Sequence, residues 1–189
     1  MVQRFYNIIK ESEKQKMEIA QVGEPILKAP AHKVDALEFT EPEFKQFVQA
    51  LLDTMLTAKG IGIAAPQVFD PRAIMIIASR ANARYPDAPE MEPLVLVNPI
   101  ILSQSERLVW HWEGCLSVPG LRGRIERPDW VEVQFQTAEG TQDEIRLEGF
   151  LARIFLHEHD HLIGLTWLDH IDSTENIMAE SVWLKEMAN

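Results

Sequence analysis

The segment from Gly149 to Gly164, GFLARIFLHEHDHLIG, constrains the fold of this chain more than any other. Phe150, Leu151, Ile154, Phe155, His157, His161 and Leu162 fall on adjoining faces at helical spacing, and Gly164 ends the pattern. A helix with that much apolar surface has to be covered by other elements. On it, His157 and His161 are four residues apart and share a face, so both can present imidazole nitrogens to one ion. Glu158 completes the H-E-x-x-H arrangement at the edge of that face, near enough to take a proton from a water there without being a ligand. His159 lies roughly 200° round from His157 and points away, which makes it a surface or packing residue.

Thr40, with Glu43 three residues on, forms a capping box that predicts a first helix, and Pro42 is tolerated in its first turn. Phe44, Phe47, Val48, Leu51, Leu52, Met55 and Leu56 recur at helical spacing, and Lys59-Gly60 closes the helix. The run AIMIIA from Ala73 to Ala78 reads as a buried strand, and Ala81 to Pro93, with three prolines, as an exposed connection. LVLVNPIIL and RLVWHWE suggest further strands, the second leading into a Gly- and Pro-bracketed loop around Cys115. Trp130 to Gln136 and Asp143 to Leu147 read as an antiparallel hairpin, and Thr174 to Met187 as a last helix. The order of elements predicts an α+β fold: antiparallel or mixed sheets packed around a central metal-binding helix, with one helix in the N-terminal half and one at the C-terminus. Residues 17–189 read as one catalytic domain, preceded by a polar arm over residues 1–16 that is either a short helix or disordered.

Several function classes are disfavoured by composition. A formal net charge of −11 argues against a surface built to neutralise phosphates, so no direct sequence-specific nucleic-acid binding is expected. No apolar run approaches the roughly 20 residues that span a bilayer, and the N-terminal stretch lacks a secretory apolar core. The single cysteine, Cys115, has no partner for an intramolecular disulfide, which fits a reducing compartment.

Two imidazoles do not complete a metal site. Cys115, between Gly114 and Leu116, is one candidate third ligand, although a lone cysteine also serves as a small buried hydrophobe. Glu175, Glu180 and His170 are alternatives of the zinc-protease kind, without the flanking glycine pattern of the extended histidine motif. Gly60 to Gln67, GIGIAAPQ, fits G-x-G-x-x-A literally, but a helix precedes it where a dinucleotide site needs a strand, and Pro66 obstructs a helix after it. Its small residues suit close approach of backbone to a ligand, with the Gln67 amide able to reach a polarised carbonyl.

Taken together and in order, GIGIAAPQ, EGCLS and HEHDH resemble the peptide deformylases, and the resemblance extends from about Met17 through Asp172. The GEPIL stretch at Gly23 fits as well, and ARIFLHEHDH is similar to the organelle-like branch of that family. The resemblance implies hydrolytic removal of formyl from N-formylmethionine at the start of new polypeptides. It implies Cys115, His157 and His161 as ligands of one Fe(II), which zinc, nickel or cobalt can replace. It implies catalytic roles for Glu158, Gln67 and the backbone N–H of Leu116. The peptide should be bordered by Ile61, Gly62 and Gly114, and the methionine side chain by Ile61, His111, Glu113, Phe150 and Arg153. Two neutral imidazoles and one thiolate agree with that chemistry, since they leave a divalent ion with net positive charge and an open fourth position.

Arg153 departs from the family, because many bacterial members are apolar there. It is expected either to pair with Glu113 at the pocket rim or to reach out to water. Asp160 is expected to orient a neighbour or to pair with Arg122 or Arg127, or else to be a solvated helix residue. The C-terminal STENIMAESVWLKEMAN has three glutamates against one lysine, so the basic ribosome-docking helix of some members does not carry over, and any ribosome contact is transient. The expected location is the cytoplasm, or an organelle matrix in a eukaryote. A different metallopeptidase and a non-catalytic binding protein remain as rival readings, to be separated by the third ligand and by formate release.

Overall fold

The computed structural model describes residues 16–82 and 84–187, so most of the N-terminal arm lies outside the described residues. Eleven regular elements follow one another: α1 (Pro42–Thr57), β1 (Gly62–Ala64), β2 (Ile74–Ser79), β3 (Met91–Gln104), β4 (Leu108–Cys115), β5 (Val118–Pro128), β6 (Trp130–Gln136), β7 (Gln142–Glu148), α2 (Gly149–Leu162), β8 (Ile177–Ala179) and α3 (Glu180–Met187). They build a five-stranded sheet in the order β1-β2-β3-β6-β7 and a three-stranded sheet in the order β4-β5-β8. Every strand pair is antiparallel. This is the expected α+β arrangement, with α2 central.

Strand β2 explains why the layers stack as they do. Its Met75 and Ile77 join Ala152, Phe155 and Leu156 of α2 in one core cluster, while Ile74 and Ile76 join Phe44, Leu51 and Met55 of α1 in another. Alternate residues of a strand face opposite ways, so a strand covered on both faces must be apolar throughout, as IMIIA is. Helix α2 is thereby held against the larger sheet. Its Phe155 is fully buried, a contribution of about 1.5–3 kcal/mol on area alone. A third cluster, Val118, Ile125 and Trp167, backs the smaller sheet.

Several boundaries differ from the sequence expectation for identifiable reasons. Thr40 is not the N-cap of α1: its hydroxyl donates to the Leu37 carbonyl at 2.7 Å, and the helix starts at Pro42 behind Glu41. The residue before a proline is pushed to extended backbone, and Glu41 has φ −80° and ψ 133°. At the other end the left-handed residue is Lys59, with φ 56°, and Gly60 N–H closes back onto the Met55 carbonyl at 2.9 Å. Gly60 itself sits in a tight place: a Cβ there would lie 3.2 Å from Leu116 Cδ1 and 3.3 Å from the Gly62 carbonyl oxygen, so a neighbour would have to give by a few tenths of an ångström.

The Cys115 region is not a free loop. Cys115 ends β4 and pairs with Val118 across a tight turn, so EGCLSVPG is the tip of a β4–β5 hairpin. The expected last helix is shortened, because residues 177–179 pair with Leu121, Arg122 and Gly123 of β5 before α3 begins. An open sheet edge offered those backbone groups partners that the sequence pattern did not reveal.

Candidate metal centre and active-site cleft

Two elements converge on one point. Helix α2 turns His157, Glu158 and His161 inward, all three buried, and the hairpin tip brings Cys115 up to them. The ligand atoms of Cys115, His157 and His161 all lie within 4.8 Å of one another. Cys115 Sγ is 3.2 Å from His161 Nε2. Metal–sulfur and metal–nitrogen bonds at a tetrahedral angle would put those atoms ~3.5 Å apart, so the cluster fits a divalent ion with little adjustment. Glu175, Glu180 and His170 are not part of it; among the described residues this cluster alone has metal-holding geometry.

The electrostatics of the three groups point the same way. Burial by itself would raise the Cys115 thiol, but the facing His161 and His157 imidazoles outweigh it and hold the thiol well below its ordinary value. Burial opposes charge on His157 too, yet contact with Cys115 and Glu113 brings its pKa well above the ordinary histidine value. A thiolate flanked by two imidazoles calls for positive charge at its centre, which an ion supplies in place of protons.

Behind His157 stands a buried ion-pair network. Glu113 Oε2 meets His157 Nδ1 at 2.8 Å, which fixes the ring and leaves Nε2 for the cluster. The same carboxylate accepts from Arg127 Nε at 2.6 Å, Arg127 Nη2 at 2.9 Å and Arg153 Nη1 at 2.7 Å. Burial would raise Glu113, but Arg127 and His157 dominate and hold it well below the usual carboxylate range. Arg153 therefore pairs with Glu113 as expected, though inside the protein and not at a rim; at 7% exposure it does not reach out to water. Asp160, also buried, takes Arg127 Nη2 at 2.8 Å and His170 Nε2 at 2.9 Å. Arg122, the other expected partner of Asp160, instead donates to Glu180 and to the Tyr85 hydroxyl, both at 2.6 Å.

Glu158 is set apart from this network. Burial raises its pKa to about 7, against the lowering pull of His157 and His161, and its Oε2 has no hydrogen-bond partner. The backbone of Gly62 presses directly on it: a Cβ at Gly62 would sit 2.3 Å from Glu158 Oε1, so only glycine fits. Gln67 is equally fixed. Its Oε1 accepts from Ala64 N at 2.8 Å, which orients Nε2 toward Ser117 Oγ at 3.1 Å and Cys115 Sγ at 3.5 Å. Ser117, missed in the sequence reading although it stands in the EGCLS stretch, also donates its N–H to the sulfur at 3.4 Å.

A cleft of about 270 Å³ opens beside the cluster. Of the residues expected to border a peptide, Ile61, Gly62, Gly114, Glu113, Phe150 and Arg153 line it, together with Leu116. His111 does not: it is exposed on β4, and Trp112 lines the cleft instead. Arg153 donates to both Glu113 Oε1, at 2.7 Å, and the Val109 carbonyl, so it bridges two positions four residues apart on β4. Tyr85, from the connection read as merely exposed, was also missed; its ring packs on Phe150 at 4.9 Å and it lines the cleft wall.

Comparison with known proteins agrees with this geometry. The sequence model of the polypeptide deformylase family matches residues 16–176. Peptide deformylase 2 of Shewanella oneidensis is 46% identical over 177 residues, covering 93% of this chain and 96% of its own length. Peptide deformylase 2 of Nostoc sp. is 42% identical over 162 residues, covering 86% and 89%. A Met-Ala-Ser-bound crystal structure of the class I type b peptide deformylase from Acinetobacter baumannii superposes with a TM-score of 0.81 at 46% identity, over 82% of this chain and 98% of that one.

Proposed function

We propose a division of labour among the site residues that starts from one premise: this chain belongs to the polypeptide deformylase family and is a metallohydrolase that removes the formyl group from N-formylmethionine on nascent polypeptides. Cys115, His157 and His161 would hold one Fe(II), in whose place zinc, nickel or cobalt could serve. Bound there, the ion would supply Lewis acidity. Glu158 takes the proton of the attacking water and passes it to the departing amine, so that formate and a free N-terminal methionine result. The Gln67 amide and the Leu116 N–H donate to the formyl oxygen as negative charge grows on it. Ile61, Gly62 and Gly114 run beside the peptide, and Phe150, Glu113 and Arg153 surround the methionine side chain.

The observation that carries this reading is Glu158 itself. It is a buried carboxyl with one oxygen unpartnered, a pKa raised to about 7, and a glycine backbone closed over it beside the Cys-His-His cluster. A group with that pKa can both accept and return a proton near neutrality. The test is formate release from formyl-Met peptides by protein loaded anaerobically with iron, nickel or zinc. One ion per chain and turnover lost with Cys115→Ser are expected; unchanged metal binding in that variant would move the third ligand elsewhere. Activity with iron should decay in air and activity with nickel should persist, because a soft sulfur beside a redox metal is open to oxidation.

Residues 17–189 form the catalytic domain in this reading. No described helix is long and apolar enough to cross a membrane. The enzyme works where translation occurs, in the cytoplasm or, in a eukaryote, an organelle matrix. Any ribosome contact is transient and has no basic C-terminal helix to use, since residues 173–189 hold three glutamates against one lysine.

A further inference from the structure

We infer that residues 17–22 form a positioning strap. Through backbone hydrogen bonds the strap ties the turn that carries Gln67 to the tip of the β4–β5 hairpin, and so sets the spacing between the two groups assigned to the formyl oxygen, the Gln67 amide and the Leu116 N–H. The inference rests on that assignment and extends it to a part of the chain of which no residue lines the cleft.

The two donors are carried by different parts of the core. Gln67 sits in a short turn of helix, Ala65–Val68, whose Ala65 and Val68 pack in the cluster with α1. In the hairpin tip Cys115 and Val118 pack with Trp167 behind the smaller sheet, and Leu116 reaches back to the α1 cluster. Residues 17–22 span both parts. The N–H of Ala20, a buried residue, donates to the Gln67 carbonyl at 2.8 Å, and the N–H of Val22 donates to the Ser117 carbonyl at 2.8 Å. The Ser117 hydroxyl accepts from Gln67 Nε2 at 3.1 Å, so strap, turn and tip close into one hydrogen-bonded ring. Gln21 Nε2 adds a longer contact to the Leu116 carbonyl at 3.4 Å. Both ends of the strap are anchored: Met17 N–H reaches Thr54 Oγ1 on α1 at 3.0 Å, and Glu24 N–H closes a turn onto the Gln21 carbonyl at 3.0 Å. Donors aimed at growing charge are effective only when they are already in place, and a closed ring holds them there.

The turn at the end of the strap allows one donor to be removed by itself. Gly23 has φ 110° and Val22 is not left-handed, the pattern of a type II turn with Val22 second of its four residues, where proline is favoured. The Val22 side chain is 47% exposed. Val22→Pro therefore deletes the N–H while the turn is retained and no buried side chain is lost. Nickel-loaded protein is assayed for formate from a formyl-Met tripeptide, with metal content measured beside it. Val22→Pro is expected to lose about 10-fold in kcat with KM and metal content within about 2-fold of wild type, because displaced donors weaken the transition state and not the bound substrate. Val22→Ala, the conservative variant that keeps the N–H, should restore kcat. In a Gln67→Ala background one donor remains and spacing has no meaning, so Val22→Pro should cost less than about 2-fold there. An undiminished loss in that background, or wild-type kcat in Val22→Pro, overturns the proposal. A loss that follows metal content or folding overturns it as well, since the strap would then only hold the structure. Gln67→Ala with wild-type kcat would instead defeat the assignment of Gln67, and the strap would fall with it.

Discussion

Helix α2 and the β4–β5 hairpin meet at the Cys115-His157-His161 cluster, but they position their residues by different physics. The helix does so locally: a repeat of 3.6 residues per turn sets His157, Glu158 and His161 relative to one another whatever surrounds them. The hairpin does so through register. Glu113 lies opposite Gly123, the pairing shifts between Glu113 and Cys115, and Cys115 then meets Val118. A slip of one residue would turn Glu113 and Cys115 to the wrong faces. Helix substitutions should therefore alter chemistry with little effect elsewhere, whereas hairpin substitutions should alter metal binding and stability together.

The largest effect tests the helix side. Glu158→Ala should keep the metal and the fold but lose about 10³-fold in kcat, the range of a general acid–base group. Metal analysis beside steady-state kinetics checks it. Loss of the ion together with activity would mean that the helix is no more independent than the hairpin.

The next effect crosses from hairpin to helix. Glu113→Gln keeps the shape but removes the charge that fixes His157 Nδ1 and neutralises Arg127 and Arg153. Metal affinity should fall about 10–100-fold, the usual consequence of removing the carboxylate behind a ligating histidine. Stability should fall by about 3 kcal/mol, since breaking a buried ion pair leaves uncompensated charge. Denaturation of the metal-free protein separates the two. A variant that lost metal affinity alone would show that the network serves the ion and not the fold.

Gly123→Ala confines the question to the hairpin backbone. A Cβ there would approach Trp167 Cε3 to 2.2 Å, and Trp167 is fully buried behind the smaller sheet. Overpacking of this kind costs about 1–3 kcal/mol. If register is what delivers Cys115, metal affinity should decline along with the denaturation midpoint. A drop in stability with unaltered metal affinity would separate the tip of the hairpin from its base.

The same contrast decides what could be read from the sequence. That His157, Glu158 and His161 share one face of α2 was legible because spacing of one and four residues is a local property, and that Cys115 joins them was suggested by its neighbours Glu113 to Ser117. The partner of Asp160 was not. Arg122 and Arg127 are five apart on β5, an odd number, so they face opposite ways, and only the packing of β5 on α2 shows that Arg127 is the one turned to Asp160. His111, two residues before Glu113 on β4, is exposed and is not among the residues that line the cleft, which a strand pattern alone does not tell. The three-residue β8 inside the expected last helix depends on a free edge of β5, which no short-range pattern encodes. Thr40 shows a local rule losing to another local rule, the restriction that Pro42 puts on Glu41.

The smallest effect returns to the helix and asks whether its face was assigned correctly. His159 stands between His157 and His161 in sequence, yet its ring stacks on Phe155 at 5.7 Å with an interplanar angle of 29°, away from the cluster. Burial lowers its pKa, as for a neutral packing residue, with Asp160 opposing. His159→Gln should leave metal stoichiometry, and kcat for formyl-Met peptides, within about 2-fold of wild type, because a residue roughly 200° round the helix has no path to the ion. The cost should appear in stability alone, at about 0.5–1.5 kcal/mol for a lost aromatic pair. A ten-fold loss of metal affinity in this variant would mean that helical spacing had selected the wrong pair among three histidines, and the local side of the comparison would fail at its strongest point.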